Sequence, residues 1–84
     1  MKLRDFMAVF DDGWVEVRDD NTNEILFTNY QSKDWTTKYL LSYAEKEVVQ
    51  INAYPIAEDD PIVLDVDCPV QGGDTIFYVR VINN

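Results

Sequence analysis

The run Pro61-Ile62-Val63-Leu64-Asp65-Val66-Asp67 constrains this chain most, because apolar and acidic side chains alternate along it. On the two-residue period of a strand, Ile62, Leu64 and Val66 point one way and Asp65 and Asp67 the other. Strand-like runs flank it at Glu47 to Tyr54 and at Thr75 to Ile82. The expectation is a half-buried strand lying where the core meets an acidic surface.

The remaining segments complete one domain over residues 1–84. Leu3, Phe6, Met7 and Phe10 recur at helical spacing and Asp11-Asp12-Gly13 stops the pattern, which predicts a short N-terminal helix. Trp14 to Arg18 and Glu24 to Thr28, separated by the polar cluster Asp19 to Asn23, read as a hairpin. Its Val15, Val17, Ile25 and Phe27 are expected in the core, and Glu16 and Arg18 in water. Ser32 is the expected N-cap of a helix reaching Tyr43 or Ala44, with Trp35, Tyr39 and Leu40 or Tyr43 on its inner stripe. The order is α-β-β-α-β-β-β, and the short connections predict an α+β fold: a small antiparallel sheet of four to five strands with two helices packed on it.

Charge narrows the function classes. Sixteen acids against seven bases give a net charge of −9, and residues 47–84 hold seven acids with Arg80 as their sole base. Such a surface disfavours direct binding to nucleic acid or to an anionic membrane, both of which reward clustered Lys and Arg. The same charge also serves solubility, the plainer explanation. A single cysteine, Cys68, cannot close an internal disulfide, and nowhere do 18 apolar residues run together. Both features suit a cytoplasmic protein.

Catalytic and metal signals are weak. Asp65 and Asp67 supply two carboxylates, but no His, nucleophile motif or phosphate loop accompanies them. Asp19 to Asn23 offers oxygens at alternate positions like the start of a calcium loop. Glu24, however, takes the place of the turn glycine and Tyr30 that of the closing glutamate. No cofactor and no metal are expected, and Cys68 lacks a neighbouring base to activate it. The acidic residues are the better lead. Glu58, Asp59, Asp60, Asp65, Asp67 and Asp74 are expected to share one edge, imitating a phosphate backbone, with Tyr54 and Tyr78 as its desolvated anchors.

The opening Met1-Lys2-Leu3-Arg4-Asp5-Phe6, the Val15-Glu16-Val17-Arg18-Asp19 strand leading into Asn23-Glu24-Ile25-Leu26-Phe27, and Glu47-Val48-Val49-Gln50-Ile51 resemble small acidic accessory proteins of Firmicutes phages and mobile elements. The resemblance covers residues 1 to 54, while the part holding Cys68 to Asp74 departs from that pattern. These proteins include anti-CRISPR and anti-restriction inhibitors, several of them acidic nucleic-acid mimics. The resemblance therefore implies a non-catalytic inhibitor acting in the bacterial host cell on a basic nucleic-acid-binding protein or nuclease complex. The alternative is a structural or self-assembling protein, such as a homodimer, that uses an exposed sheet edge or the aromatic helix face. A small hydrolase is the third reading.

Overall fold

Four strands form the sheet: Trp14–Asp19 (β1), Ile25–Thr28 (β2), Glu47–Pro55 (β3) and Thr75–Ile82 (β4), in the spatial order β2-β1-β4-β3. The computed structural model describes residues 1–10 and 12–83. Asp11, part of the expected helix stop, lies outside them. Helical segments are Leu3–Val9 (α1), Trp35–Lys38 (α2), which runs on as a π-helix over Tyr39–Tyr43, and the single turn Pro61–Leu64 (α3). The α+β class is as expected. Among the described residues no helix is long and apolar enough to cross a membrane.

The sheet is mixed, which corrects the antiparallel expectation. β1 pairs with β2 and β3 with β4 antiparallel, but β1 and β4 run parallel from Trp14↔Ile76 to Asp19↔Val81. Both antiparallel pairs are local in sequence. The parallel pair joins strands some sixty residues apart, after the 35–43 helix has carried the chain from one edge of the sheet to the other. Nothing in short connection lengths encodes that insertion.

Pro61 to Asp67 corrects the central expectation. It forms no strand; Asp60 caps a helical turn by accepting the Ile62 N–H at 3.0 Å, with Pro61 in the first helical position. Asp65 then closes a turn by accepting the Asp67 N–H at 3.0 Å. The alternation has no burial behind it, since Leu64 and Val66 are exposed and only Ile62 and Val63 turn inward. Capping chemistry and a proline decided the conformation, not the apolar period.

One face of the sheet carries the main core. Val15, Val17, Phe27, Val79 and Val81 meet Leu3 and Phe6 of α1, and all seven are buried. Trp35, Tyr39 and Tyr43 pack against Phe27, with the Trp35 and Tyr43 rings stacked on it at 6.1 and 5.8 Å. Three departures have local causes. A bulge between Val17 and Arg18 shifts the β2 register, so Ile25 is exposed. The helix starts after Asp34 instead of Ser32, whose hydroxyl accepts the Thr28 N–H at 3.1 Å. Glu16 is buried, paired with Arg18 at 2.8 Å.

Candidate functional site

The other sheet face is covered over only half its length. The excursion from Ile56 to Asp74 between β3 and β4 folds over the end holding Trp14 and Ile76, burying Ile56 and Val70 in a second small core with Tyr30, Ile62, Val63 and Cys68. Its ends are tied together by Ile56 N–H to the Asp74 carbonyl and Gly73 N–H to the Ile56 carbonyl, both at 2.8 Å. A further clasp is the Trp14 indole N–H, which donates to the Asp74 carboxylate at 2.8 Å. The excursion is therefore a fixed platform.

All six acids predicted from the sequence lie in this excursion, which contains no base. They do not share one strand face, and they divide by role. Asp60 caps α3, Asp65 closes the following turn, and Asp74 accepts from Trp14 and from the Gln71 N–H at 2.9 Å. The side chains of Glu58, Asp59 and Asp67 make no hydrogen bond or ion pair among the described residues and are exposed. These three carboxylates face water.

The uncovered half of the same face was missed by sequence reasoning. Glu16, Arg18, Gln50, Asn52, Tyr78 and Arg80 line a groove of about 310 Å³ there. Arg18 and Arg80 are register partners on the central parallel pair. Each is held in place: Arg18 Nε donates to Glu16 at 2.8 Å and its Nη1 to the Asn23 carbonyl at 3.2 Å. Arg80 Nε donates to Asp20 at 3.0 Å and its Nη1 to Asn23 Oδ1 at 2.9 Å. Asn23, at φ +62°, is thus the turn residue that both guanidiniums grip. The alternation of Gln50, Asn52 and Tyr54 with Ile51 and Ala53 was the available signal for this polar face.

Tyr54 and Tyr78 do come together, with ring centroids 5.7 Å apart, at the border between groove and excursion. Burial raises the Tyr78 phenol above its ordinary value, and the Glu16 and Asp60 charges add to the shift. Tyr30 behind it is raised further, again first by burial and then by Glu16. Both phenols stay protonated donors at neutral pH. A second groove, about 560 Å³, runs between the 29–35 connection and the 65–68 turn, with Lys33, Trp35, Asp65, Asp67 and Cys68 on its walls.

Asp19, the supposed start of a calcium loop, turns its carboxylate onto its own hairpin, accepting from the Asn21 N–H at 2.9 Å and the Thr22 hydroxyl at 3.2 Å. Among the described residues no group of three or more Cys, Asp or Glu side chains converges as a metal cage.

The Trp14 clasp makes acid sensitivity predictable. The indole N–H and then the Gln71 N–H hold the Asp74 carboxyl below the usual aspartate range. A depressed folded value adds stability above the unfolded value, and that contribution is lost as pH falls through the folded value. Wild type should therefore exceed Asp74→Asn in urea midpoint at neutral pH, and the gap should close below about pH 3.9, the ordinary aspartate value. A gap that stays constant to pH 2 would show that the clasp does not depend on the charge.

Comparison with family models, with curated proteins and with solved structures finds no match.

Proposed function

We propose that this chain is a non-catalytic binding protein that docks on a basic surface of another protein through its acidic excursion and the adjoining Tyr54–Tyr78 pair. The observation that carries this reading is the gathering of six acids and no base on one internally tied excursion, bordered by two aromatic rings. A fixed display of charge binds with less ordering cost than a mobile tail. Tyrosine and arginine beside it supply the residue types that dominate interface energetics, and the carboxylates steer a basic partner into place.

The resemblance of residues 1 to 54 to phage accessory proteins favours one kind of partner. In that reading the chain enters the basic nucleic-acid groove of a bacterial defence nuclease in the host cytoplasm and excludes DNA or RNA. Glu58, Asp59 and Asp67 are the contacting charges, because their carboxylates have no structural partner, while Asp60, Asp65 and Asp74 hold the platform.

Affinity capture from bacterial lysate at low and high salt, followed by mass spectrometry, tests the reading. A basic nucleic-acid-binding complex should be retained at low salt and lost at high salt. The double variant Glu58→Lys/Asp59→Lys should fold normally and bind that complex at least tenfold more weakly. Undiminished capture by this variant would remove the excursion from the interface.

A further inference from the structure

Among the described residues β3 is an edge strand whose outer side is open beyond its first residues. Its start is covered: Lys2 bridges Glu47, and the Val48 N–H donates outward to the Met1 carbonyl at 2.8 Å. The bulge at Val49 then reverses which residues face outward. Past β3, the Ile56 N–H bonds inward to Asp74 of the β4 side. Since N–H and C=O alternate sides along an antiparallel strand, Asn52 and Tyr54 also bond inward. Ile51 and Ala53 therefore direct their N–H and C=O groups to the outside. Pro55, which also faces outward, has no N–H to offer.

Edges are normally protected by charge, yet residues 48–55 of this chain carry none despite the net charge of −9. Val49, Ile51 and Tyr54 are exposed along this strand. Proline and the bulge confine any added pairing to the short stretch between them.

We propose that this edge pairs antiparallel with the same edge of a second copy, about a two-fold axis through Asn52. In that register Ile51 of each copy exchanges a reciprocal pair of hydrogen bonds with Ala53 of the other. The side chains are self-complementary: Asn52 meets Asn52 on the axis, Gln50 lies beside Tyr54 on the polar face, and Ile51 beside Ala53 on the apolar one. Charge favours the antiparallel sense. The start of β3 is close to neutral, since Lys2 and Arg4 pair with Glu45 and the Met1 amine with Glu47, whereas Glu58, Asp59 and Asp60 follow its end. Antiparallel pairing thus keeps the acidic ends of the two copies apart, where a parallel one would set them side by side. The contact is small by the standard of permanent dimers, so the association is concentration-dependent.

Sedimentation equilibrium from micromolar to millimolar protein tests this directly. The wild-type mass should rise from 9.8 kDa towards twice that value. Ala53→Pro removes an outward N–H without touching the β3–β4 ladder and should weaken dimerisation at least tenfold while the far-ultraviolet spectrum is unchanged. Asn52→Asp, which alters no backbone group, should place two carboxylates on the axis and weaken it to a degree that salt relieves. Amide exchange at Ile51 and Ala53 should slow as concentration rises. A wild-type mass that stays at 9.8 kDa at millimolar concentration would overturn the proposal and leave the edge to a strand from another protein. Equal dimerisation by wild type and both variants would overturn it as well.

Discussion

Phe27→Ala should cost about 4 kcal/mol, the range for truncating a buried phenylalanine. Phe27 is 1 % exposed, and Trp35, Tyr39 and Tyr43 all meet its ring, so the 35–43 helical segment is held to the sheet largely through it. None of those three aromatics is itself fully buried, and α2 and the π-helix contain no buried residue. The helix therefore depends on this ring to a degree that its own sequence does not repair. A domain of this size has roughly 4–13 kcal/mol to lose, so the variant should lie close to unfolding at 25 °C. Denaturant titration followed by tryptophan fluorescence should show the midpoint fall steeply. A loss under about 1 kcal/mol would mean that the cavity collapses without cost, against the packing described here.

The second large effect is expected at Gly72. A Cβ there would stand 2.8 Å from Glu58 Cα and 2.6 Å from its Cγ. Backbone on one side cannot yield as a flexible side-chain tip would, so Gly72→Ala must push the two limbs of the excursion apart. Overpacking of this kind costs about 1–3 kcal/mol. The damage should be local, because the main core lies on the opposite face of the sheet. Hydrogen exchange should therefore accelerate at Ile56 and Gly73, whose amides tie the excursion, while Val79 and Val81 stay protected. Binding that depends on Glu58 and Asp59 should weaken in the same variant, since the platform presenting them has shifted. Uniform loss of protection across both cores would show instead that the excursion and the sheet unfold as one unit.

Much of the fold was legible because local patterns had burial behind them. Val15 and Val17 alternate as a strand and are fully buried; Leu3 and Phe6 recur at helical spacing and are buried too. Trp35, Tyr39 and Tyr43 lie four residues apart, and they do form the inner stripe. The run Ile62 to Asp67 showed the same period without the burial, and its outcome was decided by Asp60 and Pro61, two residues ahead of where attention falls. An aspartate followed by proline before an apolar run is itself a helix-start signal, and here it outweighed alternation. The candidate site divided similarly. The acids could be read as one group because they fall within one stretch of chain, but the engagement of Asp74 depends on Trp14, sixty residues distant. The Arg18 and Arg80 groove was hidden because it arises from a parallel pairing that no contiguous segment records.

That parallel pairing also sets the order of events during synthesis. β4 is the last strand in the chain and one of the two central strands of the sheet, between β1 and β3. Until Thr75 to Ile82 has left the ribosome, β1 has β2 alone as a neighbour and β3 has no sheet partner at all. The β1–β2 hairpin can form early, but Val15 and Val17 can bury their side chains only when Val79 and Val81 arrive. High sequence separation at the centre of a sheet slows folding relative to hairpin-only topologies of equal size. The nascent chain is therefore an open template with unsatisfied strand edges until β4 emerges and slides between β1 and β3.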